Sequence, residues 1–178
     1  MIDCETLGTT SDAVVMSIGA VKFDLHSKKT DDEGFYASIS IESNLELGRR
    51  IAEDTLIWWM GQAKEAQGVF HEPKVPLCSA LKDLTEWLGE DPGSLHVWSN
   101  GADFDIPMLS LAYAQAGLET PWKFFKNRCF RTFKNLPFPP AYAVNREGPQ
   151  HNALFDAIYQ AKVAQSIQAS ISKAKVAA

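Results

Sequence analysis

Apolar and polar residues alternate in the first forty or so positions and recur at helical spacing later, which predicts early strands followed by alternating helices and strands. Residues 14–23 (VVMSIGAVKF) and 34–41 (GFYASISI) are rich in β-formers and flank a charged stretch, LHSKKTDDE. With MIDCE in front, they read as three consecutive strands. Asp54 can cap a helix running through TLIWWMGQAKEA, residues 55–66. Pro76 suits the first turn of the next helix, where Leu77, Leu81, Leu84 and Leu88 form one apolar stripe to lie on the sheet. A short apolar strand follows at 95–99 (LHVWS), then a helix from about Asp105 to Ala116 that stops at Gly117. An aromatic and basic stretch precedes a Pro-rich loop, LPFPPAY at 136–142. The chain closes with a long helix from about Asn152 to Ser172 and a tail that frays from about residue 173. The pattern is that of an α/β fold with a mixed sheet, in a single domain over residues 1–178.

Composition narrows the classes. Of the 178 residues, 46% are hydrophobic, ample for a core, and the net charge of −5 argues against indiscriminate coating of a polyanion. Contact with nucleic acid must therefore be local. Cys4, Cys78 and Cys129 lack CxxC spacing and are odd in number, so neither a disulfide framework nor a zinc knuckle is indicated. With no charged-then-apolar leader and no apolar run of about 18 residues, a soluble, cytoplasmic protein without membrane contact is expected.

Three short clusters carry the chemistry. In MIDCETLG, Asp3 and Glu5 stand two apart on a strand and share a face, while Cys4 points away. A solvated strand face is the plain alternative, but the apolar Met1 and Ile2 and the following Thr6, Leu7 and Gly8 count against it. In NGADFDIPML, Asp105 falls where a strand ends and a helix begins, a usual place for ligands in α/β domains. It competes there with a helix-capping role and with Asp103 as the functional acid. In HNALFDA, His151 and Asp156 would point about 140° apart on one continuous helix. With Asn152 as the cap, His151 lies in the loop and the two can converge. Carboxylates pressed together repel unless cations neutralise them, and oxygen ligation selects Mg²⁺ or Mn²⁺ over zinc. A histidine able to take a proton from water completes a set suited to phosphodiester hydrolysis.

These residues resemble the DEDD-type 3′-to-5′ exonucleases of the histidine-containing branch. The carriers are DxET at Asp3 to Thr6, Asn-xxx-Phe-Asp at Asn100 to Asp105, and His-xxxx-Asp at His151 to Asp156, in the family's order. DTLIWWMGQ and WSNGADFDIP further resemble the subgroup of phage DexA, exodeoxyribonuclease VIII and mycobacterial exoribonuclease. The resemblance implies a ribonuclease-H-like fold, a five-stranded mixed sheet flanked by helices. It implies that Asp3, Glu5, Asp105 and Asp156 hold two divalent metal ions, Mg²⁺ or Mn²⁺, with Asp3 bridging and His151 as general base. It places Thr6, Leu7 and Phe104 against the terminal nucleotide of a single-stranded nucleic acid with a free 3′ end. Two departures stand out: only two residues precede the first Asp, and Phe155 replaces a customary second acid. Homodimers occur among relatives, and no heptad or obvious exposed apolar stripe in this chain establishes one.

For the rest of the substrate, the stretch KFFKNRCFRTFK at 123–134 interleaves five basic residues with four phenylalanines and no acid. Arg128 and Arg131 are the candidates for the backbone, and the phenylalanines are either base-stacking faces or core. Trp58 and Trp59 diverge by about 100° on a helix, so one of them can face the cleft, and we assign Trp59. A binding or assembly module without turnover, and a proofreading subunit beside a polymerase, are the alternatives.

Overall fold

The alternation in β1 (Ile2–Thr6) sends Cys4 into the apolar interior and leaves Asp3 and Glu5 on the other face. The structure is a computed structural model that describes residues 1–31, 33–139, 141 and 143–177. Positions 140, 142 and 178, within the expected Pro-rich loop and tail, lie outside the described residues. β1 pairs antiparallel with β2 (Val15–Ala20), which pairs antiparallel with β3 (Phe35–Ser38). Directly opposite residues share a face, and the partners of Asp3 and Glu5 are Gly19 and Ser17. Two small residues therefore leave the carboxylates uncovered from the neighbouring strand.

Helices α1 (Ile41–Glu46), α2 (Glu53–Met60), α3 (Lys64–Gln67) and α4 (Leu77–Leu88) follow. The single helix expected over 55–66 is broken. At Gly61 α2 ends, the Gly61 N–H donating to the Trp58 carbonyl and the Gln62 N–H to the Trp59 carbonyl, and the chain restarts as α3. Asp54 lies in the first turn of α2, whose N-cap is Ala52. The leucine stripe of α4 is buried against the sheet face that carries Ile2, Cys4 and Ile18. Next come β4 (Val97–Ser99), α5 (Asp105–Gln115), β5 (Asn127–Cys129), α6 (Phe130–Lys134) and α7 (Ala153–Ala177). α5 stops before Gly117 as its sequence predicts, and α7 continues past Ser172.

The expected five-stranded sheet is corrected to two hydrogen-bonded sets among the described residues. One is the antiparallel set β1-β2-β3, and the other is the parallel pair β4-β5. β4 lies beside β1. On that edge the Cys4 N–H donates to Asp105 Oδ1 at 3.1 Å, so a side-chain carboxylate takes a donor that a backbone ladder would have used. The mixed α/β arrangement is compatible with the ribonuclease-H-like fold.

α7 packs across β1 and β2, and Gly19 lets it come close. A Cβ there would lie 2.1 Å from the Ala153 carbonyl carbon and the Leu154 nitrogen. Gly19→Ala is therefore expected to push the first turn of α7 off the sheet, at a cost of about 3 kcal/mol in denaturant unfolding. Activity should fall with it, because that turn carries Asp156.

Candidate active site

β1, α5 and α7 meet at the face left open by Gly19 and Ser17. Asp3 and Glu5 come from β1, Asp105 opens α5, and Asp156 lies in the first turn of α7. Asn152 Oδ1 accepts from the Leu154 and Phe155 N–H groups, which caps α7 and leaves His151 in the preceding loop. His151 holds a positive φ of 59° and donates its backbone N–H to Asp156 Oδ2 at 3.0 Å. The cap thus resolves the spacing problem of His151 and Asp156. Ligand atoms of Glu5, His151 and Asp156 lie within 4.8 Å of one another.

Electrostatics bind the four acids into one unit. Burial, then the charges of Asp156 and Asp105, push the Glu5 carboxyl up to about 8. Burial pushes Asp105 up to about 7, against the opposing pull of the Cys4 N–H and the Arg131 guanidinium. Asp3 is raised well above the usual carboxylate range by burial, then by Asp105 and Glu5. Asp105 is thus not the helix cap: it is the first residue of α5, and its carboxylate serves β1. Asp103 is exposed on the turn before it.

The other expected contacts divide. Thr6 is buried and its hydroxyl donates to the Gly8 carbonyl at 2.8 Å. Leu7 is corrected: it is sealed among Val14, Met16 and Trp59, without a face for a nucleotide. Trp59 is corrected too, being 1% exposed with its indole N–H given to the Thr6 carbonyl at 2.8 Å. Its neighbour Trp58 is 45% exposed and sets its ring edge-on to His151, centroids 5.0 Å apart. The 100° step between adjacent helical residues sends the two rings apart, and the packing of α2 on Leu7 and Met16 makes Trp59 the core one. Phe104 is half-buried beside Asp105. Arg131 donates to the Asn100 carbonyl at 2.8 Å and lies close enough to Asp105 to lower its pKa. Arg128 turns elsewhere: it binds the Phe125 and Asn127 carbonyls and lines a mostly apolar cavity of about 620 Å³ with Met1, His96 and Trp98. Phe130 is core, whereas Phe124 and Phe125 are exposed.

A family model of the 3′-5′ exoribonuclease Rv2179c-like domain matches residues 1–168. The chain belongs to this Rv2179c-like family. It is therefore a domain of the DEDD exonuclease type. An exodeoxyribonuclease of Enterobacteria phage T4 is 27% identical over 119 residues, covering 61% of this chain and 52% of the phage protein. The chain spans about half the length of that curated relative. No solved structure gives a significant match. Among the described residues, no helix is long and apolar enough to cross a membrane.

Arg146 and Gln160 escape pattern reading at this cluster, and Trp58, one of the two candidates for the cleft, stands there in place of Trp59. Arg146 pairs with Asp156 Oδ1 and stacks on Tyr159 at 4.6 Å, Trp58 flanks His151, and Gln160 donates to Asp3. For Gln160 a signal exists in its position one helical turn beyond Asp156. For Arg146 there is none beyond a lone basic residue in a loop. Phe155 packs on Gly148, where a Cβ would lie 2.4 Å from its ring. Gly148 also has φ +71°, so the turn needs glycine twice over.

Proposed function

We propose that this domain hydrolyses phosphodiesters one nucleotide at a time from a free 3′ end of single-stranded nucleic acid, releasing nucleoside 5′-monophosphates with two divalent cations, Mg²⁺ or Mn²⁺. The observation that carries this is the convergence of four mutually repelling, largely buried carboxylates with His151 in one cluster. Such a cluster is unfavourable without cations, and its hard oxygen donors suit those ions. Asp3, Glu5, Asp105 and Asp156 would hold them, with Asp3 between the others. When bound, the cations supply Lewis-acid stabilisation of the attacking and leaving oxygens. An imidazole nitrogen of His151 accepts the proton from the attacking water, with the edge of Trp58 restraining the ring. Arg131, beside Asp105, supplies positive charge for the substrate backbone, and the exposed face of Trp58 is available to an unstacked base.

His151→Ala is expected to lower turnover by about 10²- to 10⁴-fold with cation binding largely retained. His151→Gly should do the same while melting at or above the wild-type temperature, because glycine relieves the positive φ. Loss of Mn²⁺ affinity in calorimetry would make His151 a ligand instead.

The family description names RNA and the phage relative's name DNA, so the test presents both. Matched 5′-labelled strands, with free or blocked 3′ ends, are incubated with Mg²⁺, Mn²⁺ or chelator. A ladder shortening from free 3′ ends in the presence of metal supports the reading and ranks the two substrates. Intact strands under every condition would favour a binding module.

A further inference from the structure

We propose that Gln160 is a positioning residue of the carboxylate site, whose side-chain amide holds Asp3 in the orientation that presents its second oxygen to a cation. The inference rests on the metal-dependent reading above. Gln160 lies one turn after Asp156 on α7, so the two project from the same helix face. Its Nε2 donates to Asp3 Oδ1 at 2.7 Å, a contact between residues 157 positions apart. In the ionised form that would hold a cation, Asp3 only accepts hydrogen bonds, so there the amide nitrogen must face it, and a flipped amide would set oxygen against oxygen. The three acids around Asp3 cannot supply this donor; Gln160 does, and it leaves Oδ2 unclaimed by the amide.

The same side chain carries a cost that points to function. Gln160 is 6% exposed, and its Oε1 has no hydrogen-bond partner among the described residues. A buried acceptor left unpaired is destabilising. Its neighbours on the helix, Ala157, Ala161 and Ala164, pack in an apolar cluster with Val21 and Phe130, where an aliphatic side chain would pack without that penalty. A glutamine here makes sense if the oriented Asp3 carboxylate is what it secures. Partners of this kind behind metal-binding carboxylates set ligand geometry and affinity.

The test uses the full chain with Gln160→Met and Gln160→Leu, which keep bulk and remove the donor. Melting in chelator, Mn²⁺ affinity by calorimetry, and kcat and KM on a labelled strand are measured. Both variants are expected to fold and to bind Mn²⁺ about ten- to a hundredfold more weakly. At a fixed, limiting Mn²⁺ concentration kcat should fall in parallel, with KM for the strand changed by less than about twofold. Wild-type Mn²⁺ affinity and kcat in the Met variant would overturn the proposal. Failure of both variants to fold would also overturn it, by making Gln160 structural. A wild-type protein that binds no Mn²⁺ would instead sink the metal-dependent reading on which the proposal rests.

Discussion

Asp3→Asn is expected to eliminate measurable nucleotide release while the domain stays folded. The substitution retains volume and an oxygen that can accept from Gln160, so the hydrogen bond at 2.7 Å can persist. What it removes is the charge shared with Asp105, Glu5 and Asp156. Cation stabilisation of charged transition states is worth several kcal/mol, and each 1.36 kcal/mol is a factor of ten, so turnover should drop on the order of 10³-fold or more. In chelator the variant should melt at or above the wild-type temperature, since one of four repelling charges is gone. Asp3→Ala should be equally inactive but less stable than Asp3→Asn, because it also strands the Gln160 amide. Calorimetric melting beside a turnover assay checks both halves. An active, folded Asp3→Asn protein would remove Asp3 from the chemistry.

The second large effect is a dependence of metal-free stability on pH. Glu5 and Asp105 have folded-state pKa values raised to about 8 and about 7, above those of the unfolded chain. The folded state therefore binds more protons than the unfolded state between roughly pH 4 and 8, and stability falls as pH rises through that window. The contribution is fully present below the unfolded values and gone above pH 8 or so. Taken singly, each shift corresponds to roughly 4 to 5 kcal/mol, and the two share neighbours, so they do not add. Adding Mn²⁺ should therefore raise the melting temperature much more at pH 8 than at pH 5. Melts across this range with chelator and with Mn²⁺ provide the check. A metal-free stability that rises steadily from pH 5 to 8 would show that the carboxylates are not held together as described.

The parts of this architecture that depend on neighbours in sequence are legible in the chain itself. Period-two spacing placed Asp3 and Glu5 on one face with Cys4 on the other, and the leucines of α4 marked their own buried stripe. The cap at Asn152 could be anticipated because side-chain oxygens at helix starts have local partners. What remained hidden depends on long-range bonds. Nothing local indicates that the Cys4 N–H is given to Asp105, and that bond sits on the edge where the expected single sheet divides. The break at Gly61 was masked by good helix formers on both sides. Trp58 and Trp59 are indistinguishable by type, and only the facing of α2 on the Leu7 and Met16 cluster separates core from surface. Gln160 and Arg146 acquire meaning only when α7 and its preceding loop are laid beside β1.

The most direct measurement is mass spectrometry of the first products released from single-stranded RNA and DNA in ¹⁸O-enriched water with Mn²⁺. Water attack at the 3′-terminal phosphodiester predicts nucleoside 5′-monophosphates with one ¹⁸O on the phosphate, absent from digests by Asp3→Asn and from digests in chelator. Nucleoside 3′-monophosphates, cyclic phosphates, or equal product without metal would contradict a cation-dependent hydrolysis at this carboxylate cluster.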